Sequence, residues 1–323
     1  MANTTTIPHA IASYYDRLLL ERESPHLVHA LFGQVRNIPV GMSNTIKFRK
    51  YGALPVNTTA LTEGLTPAGR NASVTDITAV AQWYGDYIVY TDVVSIESPD
   101  PVLSELTAVL AEQGGQSVDT IIRDVLVAGT NVKYSDATAP QVNATTTDVS
   151  ATDVLTVTDL RIAVNMLDNA NAKYITDFVS PDAGYLTTPV APSYVGIVHP
   201  NQVATIEGLS GFQSVEKYAS KATIFPHEIG KVGRVRFIQS TQAKIKENGG
   251  NGSIDVYCIL IFGKDAYGVT SINGNSMKMI IKPLGSSGSS DPLDQRGSIG
   301  WKANVVARIL NQSWMVRIES ALV

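Results

Sequence analysis

A chain of 323 residues that is 44% hydrophobic and 17% charged can bury a substantial core and is too apolar to be disordered. Its formal charge of −4 lacks the basic excess of a domain that grips nucleic acid tightly, and its single cysteine, Cys258, excludes an intrachain disulfide framework. No stretch approaches the ~18 uninterrupted apolar residues of a membrane span.

The opening MANTTTIPHA has neither the basic start nor the apolar run of a secretory signal, so the chain reads as cytosolic. The Asn-x-Ser/Thr triplets at Asn3, Asn57, Asn71, Asn143, Asn251 and Asn311 then reflect Thr- and Asn-rich composition. Tyr14, Tyr15, Leu18 and Leu19 cluster at helical spacing and predict a short amphipathic helix from Ser13 to about Leu20, interrupted by Pro25. Up to Lys50 the chain carries six Lys/Arg against three Asp/Glu. That is a modestly basic arm, which suits a solvated surface as well as a nucleic-acid contact.

Thr45 to Tyr51 alternates strictly and predicts a half-exposed strand, with Ser73 to Val94 as its β-branched and aromatic counterpart. Between them, Pro55, Gly64, Pro67 and Gly69 break regular structure from Gly52 to Asn71. A loop of this length inside a compact domain implies work done elsewhere, and a two-stranded hairpin needs a surface to lie on. Nothing in the hairpin points back to its own domain, so another subunit is the expected support. Trp83, Tyr84 and Tyr87 sit at strand spacing and read as core packing rather than base stacking.

The most organised stretch is Pro101 to Gly129. Val102, Leu103, Leu106, Val109, Leu110, Val118, Ile121, Ile122, Val125 and Leu126 form one apolar helical stripe. Asp100 suits the N-cap, Pro101 the first turn, and Gly129 a left-handed stop. Such a rod would be roughly 40 Å long, with Gly114-Gly115 as its weak point and a place for a kink.

Residues 130–150 are polar and turn-rich. A second helix is expected from a Thr158 cap, with Leu160, Ile162, Ala163, Met166 and Leu167 on its apolar side. After a loop from Pro181 to Pro192 come a strand at Tyr194–Val198, a helix within Asn201–Leu209, and strands at Val232–Ile238, Ile254–Phe262 and Met277–Ile281. GSSGSS at 285–290 reads as a flexible break, and the closing SIGWKANVVARILNQSWMVRIES as strands returning to the core. Thr130 to about Pro226 could form its own αβ lobe.

Chemistry has no positive signature. G-x-x-x-x-G-K-[ST], G-x-G-x-x-G after a strand, HExxH and G-x-S-x-G are all missing. His26 and His29 stand at i, i+3, but no acidic or cysteine set completes a metal site. His199 and His227 read as turn residues, and Cys258 in VYCILIF as a buried strand residue.

The order of arm, extended hairpin, long helix, mixed lobe and returning strands resembles the Hong Kong 97-type coat-protein fold of tailed bacteriophages, shared with encapsulin shells. TIKFRKYGALPVNTTALTEGLTP, SVTDITAVAQWYGDYIVYTDVV, DVLVAGTNVKY, LIFGKDAYGV and GWKANVVARILNQSWMVRIES look like the major capsid proteins of the phage N4-type family. The resemblance implies an α+β capsid fold divided into an N-terminal arm (1–44), an extended hairpin loop (45–95) and a peripheral domain with a spine helix (96–129). An axial domain (130–226) and strands completing both domains (227–323) follow. It implies no catalytic residue, cofactor or metal, and a virion protein assembled in the host cytoplasm into hexamers and pentamers around double-stranded DNA.

Scaffolding, decoration and portal proteins are the other partners it implies, with DNA touched non-specifically and no membrane. Any scaffold is expected to be a separate protein or absent. Tyr51, Leu54, Leu61, Glu63, Leu65, Arg70 and Trp83 are the expected inter-subunit contacts. Some relatives weld subunits through a lysine on this loop. Gly52 to Asn71 carries Arg70 but no lysine, so such a cross-link is not expected. The alternatives are an encapsulin-like compartment around a protein cargo, or an α/β enzyme or carbohydrate-binding domain without a recognisable motif.

Overall fold

The computed structural model describes residues 28–39, 41, 43–52, 54–60, 63–66, 69–92, 102–135, 145–175, 192–217, 225–272, 277–286 and 291–322. The helix expected at 13–20, the Asp100–Pro101 helix start and residues 287–290 of the GSSGSS break lie outside them.

The fold is α+β. In chain order the elements are β1 (Gln34–Ile38), β2 (Thr45–Tyr51), β3 (Val74–Val80), β4 (Gln82–Thr91), α1 (Val102–Val127), β5 (Val132–Tyr134), α2 (Val157–Asn169) and β6 (Tyr194–Val198). There follow α3 (Val203–Glu207), β7 (Phe212–Ser214), β8 (Glu228–Val232), β9 (Val235–Gln239), β10 (Ile245–Lys246) and β11 (Val256–Phe262). The last four are β12 (Tyr267–Ile272), β13 (Met277–Lys282), β14 (Arg296–Ile309) and β15 (Met315–Ser320).

α1 is an unbroken 26-residue helix. Gly114-Gly115 does not interrupt it. A Cβ on Gly114 would stand 2.6 Å from Met277 Sδ and 3.2 Å from Trp301 Cδ2, so the missing side chain lets the helix press onto β13 and β14. Leu103, Leu110, Val118, Ile122 and Leu126 are buried as the stripe predicts, but Val109 is 57% exposed and faces solvent. Gly129 does not turn left-handed either. Its N–H donates to the Leu126 carbonyl at 3.1 Å, and a Cβ would stand 2.9 Å from Met315 Cε. The helix end is satisfied instead by Arg317 of β15, whose guanidinium donates to the Val127 carbonyl and, at 3.0 Å, to that of Gly129. A cation there also suits the helix dipole.

Two sheets flank α1. The first has the order β1-β12-β14-β13, and β4 also pairs with β14, from Arg296↔Thr91 to Val305↔Gln82. Gln113 of α1 bridges its strands, donating to Asp86 Oδ2 at 2.8 Å and accepting from Trp301 Nε1 at 3.1 Å. The second sheet, β5-β15-β11-β6-β9-β8-β7 with β10 on β11, is covered on both faces. Along β11, Leu260 and Phe262 join the core under α1 while Ile259 and Ile261 join a second core with Leu160, Ala163 and Leu167 of α2. Burial on both sides is why β6 and β11 read as continuous apolar runs rather than alternating ones.

Residues 130–226 therefore do not close a lobe alone, because β11 and β15 run through the middle of their sheet. α2 begins earlier than expected. Thr156, not Thr158, is the N-cap: its hydroxyl accepts from Asp159 N at 3.2 Å, and its own N–H donates to Asp159 Oδ2 at 3.1 Å. That is a capping box. Of its expected apolar side, Ile162 is exposed. The expected strand Val232–Ile238 is instead a hairpin, reversing at Gly233 (φ +58) between β8 and β9.

Charges buried in the second sheet and against it are paired, as burial demands. Glu319 lies 2.6 Å from both Lys246 and Arg317, Glu228 2.7 Å from Arg236, and Asp159 2.9 Å from Lys133.

Candidate assembly surface

β2 and β3 form a separate two-stranded ribbon, in register from Thr45↔Val80 to Tyr51↔Val74. Gly52 N–H donates to the Ser73 carbonyl at 2.8 Å and carries the pairing toward the tip. Across the ribbon Arg49 and Asp76 face each other, with Nε 3.0 Å from Oδ1. Each holds the other charged: Asp76 pushes the Arg49 pKa up, and Arg49 pulls the Asp76 carboxyl below its ordinary value.

Only the root of the ribbon is buried. Phe48 packs over Gly268 of β12, and Ala79 and Ala81 are covered. Beyond the root the described residues are open to solvent, including Val56 at 86%, Leu65 at 69% and Tyr51 at 67% exposure. Exposed apolar side chains concentrated on a two-stranded ribbon make it the candidate interaction surface.

The ribbon is shorter than the sequence predicts. Ser73 to Val94 is not one strand lying on a neighbour. At Ala81, whose N–H donates to the Asn44 carbonyl at 2.8 Å, the strand leaves β2, and β4 folds back onto its own domain along β14. Nor do Trp83 and Tyr87 pack into the core. They stand with Val89 on the outer face of β4, while Tyr84, Ile88 and Tyr90 on the other face join the core under α1. Lys302 Nζ sits 4.4 Å from the Trp83 ring centroid. A shallow groove of about 460 Å³ runs here between Trp83, Tyr87, Ile280, Gly300 and Lys302.

Of the expected contacts, Tyr51 ends β2, and Leu54, Glu63, Leu65 and Arg70 lie in the tip loop, all exposed. Leu61 lies outside the described residues. Arg70 has a local role, donating from Nη1 to the Pro55 carbonyl at 3.0 Å and so tying the two sides of the loop. Trp83 is on the sheet rather than the tip. Reading β4 alone could not find Tyr87, Val89, Ile280 and Lys302, because both of its faces carry large apolar residues.

At the ribbon root a second groove, of about 380 Å³, gathers Arg36, Lys47, Arg49 and Lys50 beside Phe48 and Trp314. Four of the six Lys/Arg noted in the first 50 residues line it, beside Asp265.

Three of the side chains noted in the sequence, His29, Cys258 and His199, are engaged within the fold. His29 is buried against Asp119, and burial pushes the Cys258 thiol up to about 11. His199, its pKa lowered by burial, accepts from Asn201 N at 3.2 Å in a turn. Among the described residues no three His, Cys, Asp or Glu side chains are grouped to hold a metal ion.

A sequence profile described as phage capsid protein matches residues 74–318, about three quarters of the chain. No curated protein matches. The fold is similar to the capsid of Ralstonia phage GP4, with a TM-score of 0.65 at 12% identity over 90% of this chain and 87% of that one. It is also similar to the head structure of Helicobacter pylori bacteriophage KHP40, with a TM-score of 0.64 at 14% identity over the same shares. For the capsid of cyanophage Pam1 the TM-score is 0.62 at 10% identity, over 99% of this chain and 96% of that one. The architecture is thus the Hong Kong 97-like capsid fold, and the chain belongs to the phage capsid protein family.

Proposed function

We propose that the chain is the major capsid protein of a tailed bacteriophage of the N4 type, tiling an icosahedral head of hexamers and pentamers around double-stranded DNA. The observation that carries this reading is the ribbon, which leaves the body at Ala81 with a buried root and an apolar tip that no described residue of its own chain covers. A neighbouring subunit would cover it, burying apolar area at ~25 cal/mol per Å² less the cost of ordering the loop.

In this reading α1 is the spine of a peripheral domain that includes the β4–β14 sheet, and the second sheet with α2 is the axial domain. Residues 1–44 are the arm, and the free part of the extended loop is 45–80. The basic root groove then offers non-specific contact to DNA or to acidic neighbours, while the net charge of −4 lets packaged DNA slide. Assembly takes place in the host cytoplasm, with portal, scaffolding and decoration proteins as further partners.

Deleting residues 55–67 tests the reading. The subunit should fold, with the circular dichroism and unfolding midpoint of the full chain, and fail to form shells. Normal particles from the deletion would refute the role given to the loop.

A further inference from the structure

We propose that Asn251 is a site of spontaneous deamidation in the folded protein. The loop at 247–253 reads Glu-Asn-Gly-Gly-Asn-Gly-Ser and holds two Asn-Gly steps, Asn248-Gly249 and Asn251-Gly252. In this reaction the backbone nitrogen after the asparagine gives up its proton and attacks the side-chain Cγ. A C–N bond forms and closes a succinimide ring, the Cγ–Nδ2 bond breaks, and ammonia leaves. Water then opens the ring at either carbonyl, leaving aspartate or isoaspartate. A following glycine favours the attack because no Cβ hinders it.

The structure separates the two steps. Gly249 N–H donates to the Lys246 carbonyl at 3.2 Å, and Asn248 N–H to Asp255 Oδ1 at 3.0 Å. The first nucleophile is therefore held in a turn with its proton engaged. Gly252 N–H has no acceptor among the described residues. Asn251, Gly252 and Ser253 are all exposed, so the water that completes the reaction is at hand. One loop thus contains both a reactive step and its own protected control.

The product changes charge and chain length. A new carboxylate appears between Glu247 and Asp255. The isoaspartyl form adds one carbon to a main chain pinned by Asn251 N–H to the Val149 carbonyl (2.8 Å) and Gly250 N–H to the Ile254 carbonyl (3.0 Å). The loop should loosen from Val149 as conversion accumulates, marking the age of the protein.

The test holds the full-length folded protein in mildly alkaline buffer and follows both asparagines by peptide mass mapping and isoaspartyl methyltransferase labelling. The urea-unfolded chain is treated in parallel. Conversion at Asn251 should outrun that at Asn248 by about fivefold or more, the factor a typical backbone hydrogen bond is worth in a barrier. The difference should vanish in the unfolded chain. Equal rates in the folded protein, a lead for Asn248, or no conversion at Asn251 while the unfolded chain converts would each overturn the proposal.

Discussion

His29 and Asp119 are joined twice. The His29 backbone N–H donates to Asp119 Oδ1 at 2.9 Å, and its ring Nδ1 lies 2.7 Å from Oδ2, both side chains being fully buried. The Tyr267 hydroxyl of β12 donates to the His29 carbonyl. One residue near the start of the described chain is thus clasped to the middle of α1 and to the sheet beneath it.

Asp119→Ala should destabilise the subunit by about 1–3 kcal/mol for each buried polar group it strands, the first being the His29 ring nitrogen. It also frees a buried backbone N–H. Urea unfolding should show a lower midpoint at unchanged slope. A loss below ~1 kcal/mol, the worth of a surface pair, would contradict the clasp.

Gly114 separates two opposing effects. Gly114→Ala should be nearly neutral, since ~1 kcal/mol of helix propensity offsets a contact with the movable end of Met277. Gly114→Val should overpack the site against Trp301 and cost about 1–3 kcal/mol. Equal stability for all three residues in thermal melts would show that α1 does not press on β14 at this turn.

The Cys258 thiol, 3% exposed, is pushed up to about 11, first by burial and then by Glu319, from a value near 9 in the unfolded chain. A raised pKa stabilises the fold below the unfolded value and loses that contribution as pH climbs. Stability should therefore fall between pH 9 and 11. Tyr194 and Tyr267, also raised by burial, act with the same sign. A disulfide reagent at mildly alkaline pH should label the denatured chain rapidly and the native chain hardly at all. Rapid native labelling would place Cys258 at an accessible surface.

Trp83 and Tyr87, at 57% and 67% exposure, contribute little to the isolated subunit. Trp83→Ala with Tyr87→Ala should leave the unfolding free energy within ~0.5 kcal/mol per site while raising the concentration needed for assembly. A large stability loss with assembly unchanged would reverse that assignment.

How much of this was legible depended on whether the cause was local. β2, β6 and the C-terminal end of α1 could be read within a residue or two because alternation, a doubly buried run and a long stripe are each written in consecutive residues. The α2 cap was also written locally, as Thr156-x-x-Asp159, and the nearby Thr158 obscured it. The break at Ala81 carries no glycine or proline. What happens there is a change of partner, from β2 to β14, more than 200 residues away in sequence. The outward face of Trp83 is equally non-local, because α1 decides which side of β4 is covered. Gly233 needed a different correction: a two-residue reversal between apolar strands looks like one longer strand until the pairing is known.

The central claim, that copies of this chain cover one another's ribbons in a closed shell, is tested most directly by sedimenting the purified full-length protein and imaging the fast fraction by electron microscopy. Closed shells or curved sheets, with the ribbon of one subunit lying on the next, are the predicted result. A small uniform species, persisting even when helper proteins are co-expressed, would contradict it.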